Sequence, residues 1–284
     1  MTETPDHQPL PQPASAPLEI PMARPLVAGV RRDPGAGDIL LLRESRWAAC
    51  IDLLLMAAAL VVQELLVVAY TKTFLDPPPV DSPEFKTMAR GMLVPVLGFR
   101  AAMVIVTMEL IRRWRGQSPR TIGLGAPQFG WNVLIGIGTT AAAYALILLW
   151  VAVVWIFFPQ LKNDLSGNVG KIIELLPRLS LIGFVQLAFL VGVYEELLFR
   201  GFVMPRLRRV LGSWTLAVLC STVIFTALHA ADQTRSALVL ITLLSLVFSA
   251  VTVWRRSLTP AIVGHVLFDL SQFISIFQIT QGTP

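Results

Sequence analysis

Long apolar runs dominate the sequence and limit the folds that it can adopt. Of the 284 residues, 55% are hydrophobic and only 14% are charged, and the mean hydropathy is +0.67. A soluble domain carries roughly 25% charged residues, and a helix needs roughly 18 to 20 apolar residues to cross a bilayer. The sequence therefore predicts an all-α, polytopic membrane helical bundle with about seven transmembrane helices. The predicted spans are residues 47–70, 91–111, 131–158, 180–203, 213–230, 237–254 and 259–278.

Arginine residues occupy alternate segments between these spans. They precede the first span and follow the second, fourth and sixth. The arginines concerned are Arg43, Arg46, Arg112, Arg113, Arg115, Arg120, Arg206, Arg208, Arg209, Arg255 and Arg256. With seven spans these segments share one side, which the positive-inside rule identifies as cytoplasmic. We expect a multi-pass cell-membrane protein whose amino terminus is cytoplasmic and whose carboxyl terminus is outside. The arginines behind the net charge of +5 are then explained by the orientation of the loops in the membrane. We therefore expect the lipid bilayer as a partner and do not expect nucleic acid.

The first 38 residues differ in composition from the rest of the chain. Prolines stand at positions 5, 9, 11, 13, 17, 21, 25 and 34. A segment of this kind buries too little apolar surface to offset its ordering entropy. We predict a disordered, Pro-rich cytoplasmic tail at residues 1–38 and a membrane-embedded domain at residues 39–284, with its motif-bearing core at about 180–278. The chain has only two cysteines, too few for a disulfide framework.

Ionisable residues inside the predicted spans are the strongest functional signal, because a charge in the bilayer is costly unless it is paired or hydrated. Span four contains Glu195, Glu196 and Arg200, span five ends at His229, and span seven contains His265 and Asp269. Residues four apart share a helix face. Glu196 can therefore neutralise Arg200, and His265 and Asp269 can face one cavity. Phe225 stands one turn before His229 and is placed to pack against the same site.

Glu195 is rotated by about 100° from Glu196 on a helix, so it points to a different face and does not take part in the pair with Arg200. Its carboxylate is therefore available for another role. A glutamate and a histidine on neighbouring helices can hold a water molecule and deprotonate it for attack on an amide. A second histidine can donate a hydrogen bond to the oxyanion that forms. The alternative is that these charges pair only for structure. That account applies more readily to Glu196 with Arg200 than to Glu195, His229 and His265 on three different helices.

Four further charges in the spans are weaker signals. Glu64 and Arg100 are predicted to lie at similar depth and to pair for structure. Asp52 and Glu109 stand close to the cytoplasmic ends of spans one and two, where their side chains are expected to reach water.

Three motifs in this order resemble those of the CPBP intramembrane proteases, a family that includes the type II CAAX prenyl proteases and bacterial Abi-type proteins. They are Glu-Glu-x-x-x-Arg at 195–200, Phe-x-x-x-His at 225–229 and His-x-x-x-Asp at 265–269. The resemblance covers roughly residues 110–275. It implies that Glu195 and His229 activate a water molecule and that His265 and residue 269 stabilise the oxyanion. Glu196 and Arg200 would shape and neutralise the site.

Residue 269 departs from the well-studied prenyl proteases, which have asparagine there. An ionised Asp269 would repel an oxyanion, so it must be protonated, orient His265 or bind a metal. Zinc accepts the ligand types of Glu195, His229, His265 and Asp269, and members of the family are described as either glutamate-dependent or metal-dependent. The sequence contains no His-Glu-x-x-His motif, so we expect no cofactor and keep zinc as the alternative.

The spans also set a condition on depth. Glu195 and His229 reach the same level in the membrane only if the fourth helix continues to about residue 210 and turns at Gly212, with a possible kink at Pro205.

We predict an intramembrane endopeptidase that cleaves a membrane protein or a lipidated peptide. One alternative is a non-catalytic interaction protein, such as a bacteriocin-immunity protein or a scaffold. The other is a transporter with a carboxylate proton relay, which would need more polar residues in spans three and six.

Overall fold

Most of the described part of the chain is helical. The computed structural model describes residues 40, 42, 44–80, 82–125, 127–164, 167, 170, 173, 176, 177, 179–231 and 233–281, and it contains no strand within them. The prediction of an all-α, polytopic helical bundle is confirmed. The tail predicted at residues 1–38 lies outside the described residues, so the division of the chain at residue 38 stays a prediction.

In the part of the chain that the structure describes, seven long helices correspond to the seven predicted spans. They are α1 (Arg46–Tyr70), α2 (Pro83–Trp114), α3 (Phe129–Phe157), α4 (Leu181–Leu211), α5 (Trp214–Leu228), α6 (Arg235–Arg255) and α7 (Thr259–Gln281). The largest differences are the start of α2, which was predicted at residue 91, and the end of α4, which was predicted at residue 203. The Ser82 side chain accepts a hydrogen bond from the Phe85 backbone and Pro83 occupies the first turn. These capping residues begin the helix ahead of its apolar run.

The number of membrane crossings depends on α5. Of the helices in the described part of the chain, six are long and apolar enough to span a membrane, and α5 is a shorter apolar helix of 15 residues. At 1.5 Å per residue α5 rises about 22 Å, less than the roughly 30 Å thickness of the hydrocarbon core. The structure thus supports a multi-pass protein and leaves α5 as the one predicted span that is too short to cross alone.

The outer surface of the bundle is apolar. Large side chains such as Trp47, Leu65, Leu148 and Ile182 are 62–80% exposed. Contiguous apolar surface of this kind is unfavourable in water and suits contact with lipid chains. The observation agrees with the membrane location predicted from composition.

Helix α4 is continuous but changes its winding near the middle. An α-helical segment Leu181–Glu196 is followed by a π-helical segment, Leu197–Val203, and by a second α-helical segment, Met204–Leu211. Pro205, which lacks an N–H group, lies in the first turn after the π-helical segment. Gly212 has φ +76° and ends the helix. The extension to about residue 210 with a turn at Gly212, which the sequence required, is confirmed.

Helix α7 packs between α3 and α4, and two glycines allow the close approach. A Cβ atom at Gly192 of α4 would lie 2.8 Å from the Val266 side chain. One at Gly136 of α3 would lie 2.6 Å from Val263. Small residues at such positions let helix backbones pack closely in a membrane. The result is that the motif residues of α4 and α7 face each other at short range.

Most of the arginines lie at one end of the bundle, which we call the arginine end and define by Arg112, Arg115, Arg206, Arg209 and Arg255. Contacts between the helices hold these residues together there. Arg115 and Arg206 both bind Asp52, Arg209 donates to the Glu44 carbonyl, and Arg255 donates to Asn132. Helices α1, α3, α5 and α7 therefore run away from the arginine end, and α2, α4 and α6 run towards it.

Of the predictions made for the four weaker charged residues of the spans, one is confirmed and one is wrong. Arg100 donates to Glu64 at 2.6 Å, so the predicted pair is confirmed. Glu109 pairs with neighbouring arginines of α2 and its side chain is 35% exposed. The prediction that Asp52 reaches water is wrong. Its side chain is fully buried beneath Arg206 and Arg115, at 3.1 and 2.8 Å, because the ends of α2 and α4 fold over it.

Candidate active site

Adjacent glutamates occupy the point where α4 changes from α-helical to π-helical winding. Glu196 is completely buried, and Glu195 is 9% exposed and lines a cavity. Their side chains leave the helix in different directions, as expected for consecutive residues. Short π-helical segments in α-helices are frequent at functional sites.

Glu196 and Arg200 form a buried ion pair beside this cavity. The Arg200 Nη1 atom donates to Glu196 Oε1 at 2.8 Å, and both side chains are fully buried. The other two guanidinium nitrogens donate to α6: Nη2 donates to Ser245 Oγ at 2.9 Å and Nε donates to Ser249 Oγ at 3.3 Å. The rings of Phe225 and Phe248 lie 4.9 and 5.8 Å from the guanidinium carbon. The buried charge is thus neutralised, and each guanidinium nitrogen donates to an acceptor.

His265 of α7 is held by the same glutamate. Its Nδ1–H group donates to Glu196 Oε1 at 2.9 Å, and its ring stacks on Phe248 with centroids 5.2 Å apart. The other nitrogen, Nε2, lies 3.6 Å from Asp269 Oδ2 and 3.9 Å from Glu195 Oε2. Glu196 therefore orients the imidazole, and Nε2 lies between the two remaining carboxylates.

His229 follows the last residue of α5. Its Nδ1 atom lies 2.9 Å from the Phe225 carbonyl oxygen, and the two rings lie 4.6 Å apart. Because a carbonyl oxygen can only accept, Nδ1 carries the proton, and in the neutral ring Nε2 has a free lone pair. The residue predicted to pack beside the histidine thus also fixes its tautomer.

One cavity of about 420 Å³ brings most of the predicted site residues together. Glu195, Phe225, His229, His265 and Asp269 all line it, while Glu196 and Arg200 are buried behind it. The remaining lining residues come from α3, α4, α6 and α7 and from the turn after α5. They are Ile147, Val151, Val191, Gln233, Ala237, Leu240, Ile241, Leu244, Phe248, Phe268 and Gln272. The cavity combines apolar walls with a small group of convergent ionisable side chains, as enzyme sites do.

A second, larger cavity has no such groups. It measures about 700 Å³ and lies between α1 and α2, where residues such as Leu66, Phe74, Pro95 and Phe99 line it. No histidine, aspartate or glutamate is among its lining residues in the described structure. Its chemistry suits an apolar chain and supplies no base or acid.

Several polar residues of the site were not identified from the sequence. Tyr194 donates to Glu195 Oε1 at 3.3 Å, and Ser245 and Ser249 bind Arg200. Gln233 and Gln272 line the cavity. The spacing of Ser245 and Ser249, four apart in an apolar span, was a signal that could have revealed the serines. Span six therefore contains polar side chains, and these two serines bind an arginine.

Within the described residues, no group of three or more His, Cys, Asp or Glu side chains is arranged to hold a metal ion. The candidate ligands Glu195, His265 and Asp269 lie close to one another around the His265 ring. The expectation of no cofactor, with zinc as the alternative, stays a prediction.

Comparison with known proteins supports the resemblance seen in the motifs. Residues 177–271 match the family model described as Type II CAAX prenyl endopeptidase Rce1-like. This range contains all three motifs. No curated protein and no solved structure matches the chain.

Proposed function

Since residues 177–271 belong to the Type II CAAX prenyl endopeptidase Rce1-like family, we propose that the chain is an intramembrane endopeptidase that uses water activated by Glu195 and His229. Its substrate is a membrane-associated protein or peptide. The observation that carries the proposal is the convergence of Glu195, His229, His265 and Asp269 on one cavity inside an apolar bundle. Ionisable side chains in a membrane raise the free energy of the folded protein, so they are rare there and mark functional sites.

Water activation falls to Glu195 and His229. A water molecule between them can give its proton to Glu195 while His229 Nε2 accepts its second hydrogen bond. The water oxygen then attacks the carbonyl carbon of the peptide bond. When the carbon–nitrogen bond breaks, the proton held by Glu195 passes to the leaving amine. The Tyr194 hydroxyl, 3.3 Å from Glu195 Oε1, is placed to hold the carboxylate in position.

Oxyanion stabilisation falls to His265 and Asp269. The Nδ1–H group of His265 is already donated to Glu196, so Nε2 can donate to the oxyanion only when both nitrogens carry protons. The carboxylate of Glu196, which accepts the hydrogen bond from Nδ1, supplies compensating charge for that form. A protonated Asp269 would provide a second donor beside it. Preorganised donors of this kind contribute most when water is excluded.

The proposal is tested by the isosteric substitution Glu195→Gln in purified protein reconstituted in vesicles. A quenched fluorescent peptide library, one half prenylated on a cysteine and the other half carrying a transmembrane segment, serves as the probe. We expect cleavage by the wild type and a loss of about 10²–10⁴-fold in Glu195→Gln, which is the usual contribution of a general base. His229→Ala should show a similar loss.

The matched control is Glu64→Gln, which changes a glutamate that lies outside the cavity and is half exposed. It should cleave at the wild-type rate. Normal turnover by Glu195→Gln would refute the mechanism. A wild-type protein that binds a peptide and cleaves none of the library would instead favour the non-catalytic interaction protein.

Metal dependence is tested separately by elemental analysis of active protein, with cleavage measured before and after chelation. We expect cleavage to persist after chelation, because a glutamate and a histidine can activate water without a metal. Loss of cleavage on chelation, restored by added zinc, would replace the proposed water activation by the metal-dependent alternative.

A further inference from the structure

The active-site cavity is closed on the side that faces the arginine end. Phe225, Leu244 and Phe248 line it there and are only 3–8% exposed. The fully buried pair Glu196 and Arg200 lies behind them, with the guanidinium bound to α6. A substrate that approached from the arginine end would have to displace this neutralised layer, and separating a buried ion pair is expensive.

The rest of the cavity extends away from the arginine end. Val191 precedes Glu195 by one turn on α4, which runs towards the arginine end, so it lies about 6 Å farther out. Gln272 follows His265 on α7, which runs outwards, and lies about 10 Å farther out. Val191, Gln233 and Gln272 are partly exposed, in contrast to the buried residues at the other end. Val191, Gln233 and Gln272 on the outer side are therefore more exposed than Phe225, Leu244 and Phe248, which close the other end.

The short helix α5 leaves space on this outer side. α5 ends at Leu228, level with the site, and α6 begins at Arg235. Helix α4 begins at Leu181, which lies about 21 Å farther out than Glu195. Helix α3 continues to Phe157, about 26 Å beyond Thr140, and the Thr140 hydroxyl contacts the Gly264 carbonyl next to His265. Among the residues that the structure describes, the turn between α5 and α6 therefore lies closer to the arginine end than the outer ends of α3 and α4 do, which leaves a recess beside His229.

We propose that substrate enters this cavity from the side of the bundle opposite the arginine end, through the recess above the α5–α6 turn. The inference rests on the proposed peptidase function and on the orientation that the arginines predict. With the arginine end cytoplasmic, the cleaved bond is presented from the outer half of the membrane. The substrate is then an exported or membrane-inserted polypeptide, and not a protein held by a lipid at the cytoplasmic surface.

The lining of the outer part suits an extended peptide. Ile147, Val151 and Leu240 provide apolar walls, and Gln233 and Gln272 provide amides on different helices. An amide side chain can both donate to and accept from a peptide backbone. An extended segment with apolar side chains could thus reach Glu195 and His229 with its backbone hydrogen bonds satisfied.

The side of access is tested by labelling single cysteines with a membrane-impermeant maleimide. The background is the full chain with Cys50→Ala and Cys220→Ala. Gln233→Cys probes the recess, and Ser118→Cys probes an exposed position near the arginine end. In intact cells we expect labelling of Gln233→Cys and none of Ser118→Cys, and in inside-out vesicles the reverse. Labelling of Gln233→Cys only from the Ser118→Cys side, or from neither side, would overturn the proposal.

A second measurement connects access with cleavage. Maleimide added to the outside should block peptide cleavage by Gln233→Cys by at least tenfold. It should leave cleavage unchanged in Glu84→Cys, an exposed position at the outer end of α2. Unchanged cleavage after complete modification of Gln233→Cys would contradict access through the recess. If Gln233→Cys is labelled from outside but the unmodified wild type cleaves no peptide, the peptidase function fails while the assigned access side stands.

Discussion

Glu196 has a structural part in the site that differs from that of the neighbouring glutamate. One of its oxygens, Oε1, accepts hydrogen bonds from both Arg200 and His265. It therefore neutralises a buried guanidinium and fixes the orientation of an imidazole at once. Glu195 contacts neither at hydrogen-bond distance and lines the open cavity instead. Two consecutive residues of the same type thus differ in role because they leave the helix in different directions.

This difference predicts that replacing Glu196 mainly lowers stability, whereas replacing Glu195 mainly removes activity. Glu196→Ala should lower the free energy of unfolding by about 3–5 kcal/mol, because Arg200 would remain as an unpaired buried charge. Glu195→Ala should change it by less than about 1 kcal/mol while abolishing cleavage. Thermal unfolding in detergent, followed by circular dichroism, measures both. Equal destabilisation by the two substitutions would contradict the assignment.

Asp269 is the residue where the sequence departs from the prenyl proteases, and its geometry predicts how it can be replaced. Its Oδ2 atom lies 3.6 Å from His265 Nε2, too far for a direct hydrogen bond. If Asp269 acts as a protonated donor, Asp269→Asn should keep cleavage within about threefold, whereas Asp269→Leu should reduce it by about 10²-fold or more. An inactive Asp269→Asn protein would show that negative charge at this position is required.

At the scale of elements, the site depends on how closely α4 and α7 pack. Gly192 stands one turn before Glu196, and its missing side chain leaves room for Val266, the neighbour of His265. The π-helical segment that follows alters the winding of α4 where Arg200 must face α6. The distance between the motifs is therefore set by backbone packing as much as by the motif residues.

Gly192→Ala should disturb this packing without touching a reacting group. Its Cβ would lie 2.8 Å from Val266 Cγ2 and 3.1 Å from the Val266 backbone nitrogen, so the helices must separate. We expect a loss of stability of about 1–3 kcal/mol together with slower cleavage.

The control is Gly138→Ala on α3, where an added Cβ meets no atom within 4 Å. That change should be neutral or stabilising by up to about 1 kcal/mol, since alanine favours a helix. Unfolding and cleavage assays on both variants make the comparison. A silent Gly192→Ala would mean that the contact between α4 and α7 does not position the site.

On the scale of the whole molecule, the arginine end ties together elements that are distant in sequence. Asp52 of α1 is fully buried and binds Arg115 after α2 and Arg206 of α4. This network lies in the part of the bundle beyond the closed side of the cavity. It fastens α4, which carries part of the site, to α1 and α2 and contributes no group to the site.

Asp52→Ala should therefore lower stability by about 3–5 kcal/mol, because it leaves Arg206 buried without a counter-charge. Cleavage per folded molecule at low temperature should stay near the wild-type rate. Glu64→Ala breaks a half-exposed pair and should cost about 0–1 kcal/mol. Unfolding in detergent measures the difference, and equal effects of the two substitutions would contradict the role assigned to burial.

Much of the fold could be predicted from the sequence because a bilayer imposes a simple rule on it. Apolar runs of sufficient length must be helical, and the predicted spans agree with α1–α7 apart from the early start of α2 and the late end of α4. The spacing of Glu196 and Arg200 likewise predicted their pairing, since a helix fixes the relation between residues four apart. The requirement that Glu195 and His229 share one depth correctly placed the turn at Gly212.

Contacts between helices could not be predicted in this way. The sequence led us to expect hydration of Asp52, which the ends of α2 and α4 in fact cover. It also gave no sign that Glu196 would hold His265, 69 positions away. The direction in which the cavity opens depends on the difference in length between α5 and its neighbours once they are packed. Periodicity and the cost of burying polar groups in lipid act within one helix, so the sequence alone determined the spans and the chemistry they carry. Which side chains meet depends on how the helices pack, and only the tertiary structure decided that.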